Sequence, residues 1–144
     1  NLKPAIAGFF FAKILFMDKS SFFLLFIAAG VFPVSLLYGA NPLLSMPFFY
    51  GIEIININML NILRAIMGLY IALCIFWCIG AFYNSLKLSA LWSCTIFMLG
   101  IGFGRILSIS FDGMPSSIFV FYLVFEIIAG LIGLKLITDL KKST

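Results

Sequence analysis

The chain has 144 residues, 64% hydrophobic and 10% charged, with a net charge of +4 and no histidine. Soluble domains carry about 25% charged residues, so this composition excludes a water-soluble fold. The absence of histidine removes the commonest general base and most transition-metal sites, and neither a metal nor a cofactor is expected.

A helix needs roughly 20 apolar residues to cross the hydrocarbon core, so the length allows about four crossings and no separate soluble domain. Residues 1–20, NLKPAIAGFFFAKILFMDKS, have an apolar middle too short to span. They resemble a signal peptide in outline, but no small-residue cleavage site follows, and position 1 is not Met, so it need not be the gene's start. The expectation is a short amphipathic helix in the cytoplasmic interface, its lysines toward the headgroups. Residues 21–144 are expected to form one four-helix domain, with spans at about 21–38, 59–82, 88–108 and 118–138. Pro33 should kink the first span. Gly39, Asn41, Pro42 and Pro47 then break the helix. The connection that follows is too apolar for a solvated loop and should fold back onto the helix ends. Gly68 and Ala72, and Gly100 and Gly104, stand four apart, a spacing that lets helices approach closely in lipid. Cys74, Cys78 and Cys94 read as small apolar packing residues.

Lys3, Lys13, Lys19, Lys87, Lys135, Lys141 and Lys142 all fall on one side of these spans. The positive-inside rule puts that side, with both termini, in the cytoplasm. Their scatter along helix ends gives no basic face, so nucleic acid is not an expected partner. Both arginines fall on the other side. Arginine within a span costs about 2.5 to 3.5 kcal/mol, so Arg64 and Arg105 should snorkel or find an acid. Glu53, Asp112 and Glu126 lie at the same level, with Asn61 and Ser108 close in sequence. The resulting cluster of Glu53, Asn61, Arg64, Arg105, Ser108, Asp112 and Glu126 admits two readings. Its charges lock the helices and the folded-back connection together, or they line a pocket for an anionic or polar headgroup. Glu126 would suit a proton relay or general acid if unpaired, and a structural role if next to an arginine. Tyr38, Tyr50, Tyr83 and Tyr122 read as an interfacial aromatic belt.

The stretch NILRAIMGLY (residues 61–70), the preceding YGANPLLSMPFFYG and the following ALWSCTIFMLGIGFGRILSISFDGMPS (residues 90–116) resemble a bacterial family, domain of unknown function forty-three forty-five. The resemblance covers roughly residues 22–136 and is most specific at Arg64–Tyr70 and Gly104–Gly113. It implies a small four-helix membrane protein and no agreed activity. The segment before Ser20 is longer than the resemblance implies, which suggests docking on a partner.

Three functions are therefore open. The favoured one is a non-catalytic accessory subunit or lipid-binding module, with membrane lipid and membrane-protein subunits as partners. The alternative is a membrane enzyme acting on a lipid or isoprenoid through a buried carboxylate, an analogy at fold level only. A proton-coupled transporter fits least, since four helices are few and no inverted repeat is visible.

Overall fold

Asp18 starts the first helix, α1 (Lys19–Gly39): its side chain accepts from the Ser21 amide at 2.9 Å and satisfies one of the free N–H groups of the first turn. The computed structural model describes residues 17–142. The interfacial helix expected over residues 1–20 falls, as far as residue 16, outside the described residues, whereas Lys19 and Ser20 belong to α1.

After α1 come one helical turn, α2 (Pro42–Ser45), and a π-helical turn over Met46–Tyr50, closed by Gly51 at φ +66°. Three long helices follow: α3 (Ile57–Phe82), capped by the Asn56 side chain, α4 (Asn84–Asp112), ended by Gly113 at φ +97°, and α5 (Ser117–Lys142). Among the described residues there is no strand. The four long helices are each long and apolar enough to cross a membrane, and the protein is an all-α integral membrane four-helix bundle. Large apolar side chains such as Phe22, Ile62, Leu69, Phe103 and Leu131 point outward, where a soluble bundle would carry charge.

The helices alternate in direction. α1 lies along α3, where Ser21 Oγ donates to the Ala81 carbonyl at 2.7 Å and the Cys74 thiol to the Ala28 carbonyl at 3.6 Å. α5 lies along α4, and α3 joins the two pairs through Trp77, whose indole N–H donates to Ser93 Oγ at 3.3 Å. The core of Leu24, Ile27, Trp77, Leu91, Cys94 and Met98 fills the middle of the bundle.

The close approaches use other glycines than the spacing suggested. Gly68, Gly100 and Gly104 face open space, and the contacts instead rest on Gly39, Gly80, Gly102, Gly130 and Gly133. A Cβ on Gly133 would lie 2.2 Å from Thr95 Oγ1, and one on Gly80 2.2 Å from the Ala90 Cβ. Spacing of four names a helix face, and only the packing angle decides which face meets a neighbour. Thr95 Oγ1, fully buried and without a hydrogen-bond partner among the described residues, faces Gly133.

At one end of the bundle the lysine Nζ of Lys87, itself buried, pairs with Asp18. Together with Ser21 and Ala81 this pair ties α1, α3 and α4. Lys19, Lys135, Lys141 and Lys142 lie toward the same end, and Lys141 sits over the Trp92 ring. The loop end, opposite, carries the long apolar connection between α1 and α3 and the short turn between α4 and α5.

Candidate functional site

Arg105 sits on the inward face of α4, in the row Lys87, Leu91, Cys94, Met98, Gly102, Arg105, whose spacings of three and four residues keep one side of a helix against its neighbours. Glu126 holds the matching place on α5, in the row Glu126, Gly130, Gly133, Ile137. The small residues of that row draw α4 and α5 together and bring the two side chains into contact. Arg105 Nε donates to both carboxylate oxygens of Glu126, at 2.8 and 3.0 Å. Glu126 is buried, at 7% exposure, and the arginine side chain is one-fifth exposed.

Only Nε of the guanidinium is used in this pair, which leaves the four N–H groups on its terminal nitrogens. Their surroundings are aromatic. The Phe119 and Tyr122 rings each lie 5.5 Å from the guanidinium carbon, within cation–π range. The Tyr38 hydroxyl lies near the guanidinium. Tyr50, from the π-helical turn, stacks on Tyr38 and on Phe119, and its hydroxyl lies 3.4 Å from that of Tyr122. The folded-back connection thus covers the site through Tyr50, while its Leu44, Phe48 and Phe49 side chains stay exposed.

Beneath this cover is a cavity of about 200 Å³ between the two helix pairs. α1 contributes Gly30, Val31, Val34 and Tyr38, α3 contributes Tyr70, α4 contributes Phe97, Met98, Ile101 and Arg105, and α5 contributes Phe121, Tyr122, Phe125 and Glu126. α1 and α5 touch only lightly, so a gap remains there, with Gly30 and Phe121, both exposed, on its rim. The cavity is an apolar chamber with one ion pair and three phenolic hydroxyls in its wall. A groove of about 490 Å³ on the other side of Arg105 is lined by Gly104, Ser108, Pro115 and Phe119.

Of the seven residues singled out from the sequence, two meet in an ion pair, Arg105 and Glu126. Ser108 and Asp112 join each other on the exposed side of α4, at 2.9 Å. Glu53, Asn61 and Arg64 are exposed, and none has an ion pair among the described residues. The seven do not converge. The inward row of α3 is Leu63, Met67, Tyr70, Cys74, Trp77 and Ala81, and Arg64 lies one residue past it, turned by about 100° away from the bundle.

Tyr38, Tyr50 and Tyr122 are readable from the sequence only as belt residues and Tyr70 carries no such mark, because the four come from four separate elements. Tyr70 and Tyr122 do continue the inward rows of α3 and α5, a signal that periodicity could have raised. Asp18 and Lys87 also escaped notice as a pair, being 69 residues apart. Among the described residues no group of acids and cysteines could hold a metal ion.

Residues 20–136 match the model of a family described as Domain of unknown function (DUF4345). No curated protein and no solved structure matches the chain.

Proposed function

The chain belongs to the DUF4345 family, whose description assigns no activity, and on its own geometry we propose that it is a lipid-binding module of the bacterial inner membrane. In this reading a lipid enters from the bilayer between α1 and α5 and places its polar head at Arg105. One observation carries the proposal: a half-buried arginine with donors that Glu126 does not use stands in the wall of a mostly apolar chamber whose rim lies between α1 and α5. Intramembrane ionisable groups mark functional sites by default, and a mostly apolar cavity with a few convergent polar groups is the usual form of a ligand site. The clustering of lysines at one end supports a cytoplasmic location for that end. The exposed apolar side chains of the connection, Leu44, Phe48 and Phe49, support contact with the membrane interface or with a partner subunit.

The test is native mass spectrometry of protein extracted from its own membrane. Wild type and Arg64→Ala should both carry a bound lipid, and Arg105→Ala should lose it. Bare wild-type protein, or lipid equally retained by Arg105→Ala, would remove the proposal. An enzymatic reading is favoured by the presence of Glu126 in the cavity wall. Its two oxygens are both engaged by Arg105, a geometry that suits holding a charge better than passing a proton. Unchanged lipid turnover in Glu126→Gln would eliminate it as the acid.

A further inference from the structure

Resting on that reading of the cavity, we infer that the head of the bound lipid is uncharged and accepts hydrogen bonds from Arg105 through oxygen. The argument starts from charge. Arg105 and Glu126 already cancel, each at hydrogen-bond distance from the other and largely out of water. An added phosphate would place a second anion on one guanidinium, and a buried charge without its own partner is strongly disfavoured. An ammonium head would meet the same arginine as a like charge. The walls contributed by Phe97, Met98 and Phe125 carry no charge to balance either ion.

Donor and acceptor chemistry narrows the class further. Both Glu126 oxygens already accept from Arg105 Nε. The N–H groups on the terminal nitrogens of Arg105 can only donate, whereas the phenolic hydroxyls of Tyr38, Tyr70 and Tyr122 can donate or accept. A neutral pocket whose arginine only donates is satisfied by an uncharged head with an oxygen acceptor. An ester or ring carbonyl fits, and so does an alcohol, whose own proton a phenolic oxygen can accept. Access also suits an oily chain, since the rim at Gly30 has nothing within 4 Å of the place a Cβ would occupy.

The experiment compares dioctanoylglycerol with dioctanoyl phosphatidate, which differ only by the phosphate, as competitors for the lipid bound by wild-type protein in detergent. A decyl-tailed benzoquinone forms a third arm and separates ester carbonyl from ring carbonyl. The expected result is that at least one neutral probe binds roughly tenfold or more tightly than phosphatidate. Glu126→Gln, which leaves the arginine charge uncompensated, should reverse that order. Phosphatidate binding as tightly as both neutral probes in wild type, in an Arg105-dependent manner, would overturn the inference and leave the lipid-binding reading standing. If no probe competes and binding ignores Arg105, both fall. The wild-type comparison holds even if Glu126→Gln does not fold.

Discussion

Two arginines of one sequence have opposite fates because of one residue's rotation. Arg105 lies in the inward row of α4 and finds Glu126; Arg64 lies one position outside the inward row of α3 and is exposed. Removing one partner of a buried pair leaves the other uncompensated, so Arg105→Met or Glu126→Met alone should cost about 3 to 5 kcal/mol. The double substitution should recover much of that loss, and Arg64→Ala should stay within about 0.5 kcal/mol. Unfolding titrations in detergent check all four variants, and additive single losses would deny the coupling. Asp18 provides a pH signature at the lysine end. Burial raises its carboxyl pKa, but the hydrogen bonds from Lys87 and Ser21 outweigh this and hold it below the ordinary 3.8. A depressed folded-state value contributes stability that is complete above 3.8 and is lost as pH falls through the folded value. Wild type should therefore melt above Asp18→Asn at neutral pH and lose that margin below pH 3.8. A margin unchanged from about pH 7 to about pH 3 would show that the pair is not formed.

The unit that matters among the elements is the α4 and α5 pair. Its closeness depends on Gly102, Gly130 and Gly133, and that closeness sets the Arg105 to Glu126 distance. Gly133→Ala drives a methyl into Thr95 Oγ1 and should cost about 1 to 3 kcal/mol by overpacking. Adding Thr95→Ala should return most of it. Gly100→Ala, facing open space, should be neutral or slightly stabilising, because alanine is the better helix former. Thermal melts decide, and equal losses at Gly133 and Gly100 would show that neither glycine is special. The connection between α1 and α3 behaves as a cover. It is held by the buried Pro42, Met46 and Tyr50, and its Ser45 hydroxyl donates to the Leu37 carbonyl at 2.5 Å. The expectation that it folds back onto the helix ends agrees with these contacts.

At the scale of the molecule, the gap between α1 and α5 is the route by which the proposed lipid enters the cavity. Gly30→Leu should fill that gap without touching the core, so lipid should be lost in native mass spectrometry while the melting temperature holds. Retained lipid would mean another route in. Orientation can be read with a membrane-impermeant thiol reagent on intact cells: Ser116→Cys should label from outside and Lys141→Cys only after lysis, with the helix-bound Cys74, Cys78 and Cys94 as background. By itself the sequence determined that the medium is a membrane, that the fold is four helices, and that Arg105 and Glu126 are charges needing an explanation. These follow from apolar run length and from the cost of a charge in hydrocarbon, both local properties of the chain. Only the tertiary structure decided which acid met which arginine and that Arg64 met none among the described residues. It alone decided which glycines carry the packing, and that four tyrosines distant in sequence close over one cavity. Those outcomes depend on helix rotation and crossing, which small differences in packing between whole faces determine and which no local run of residues encodes.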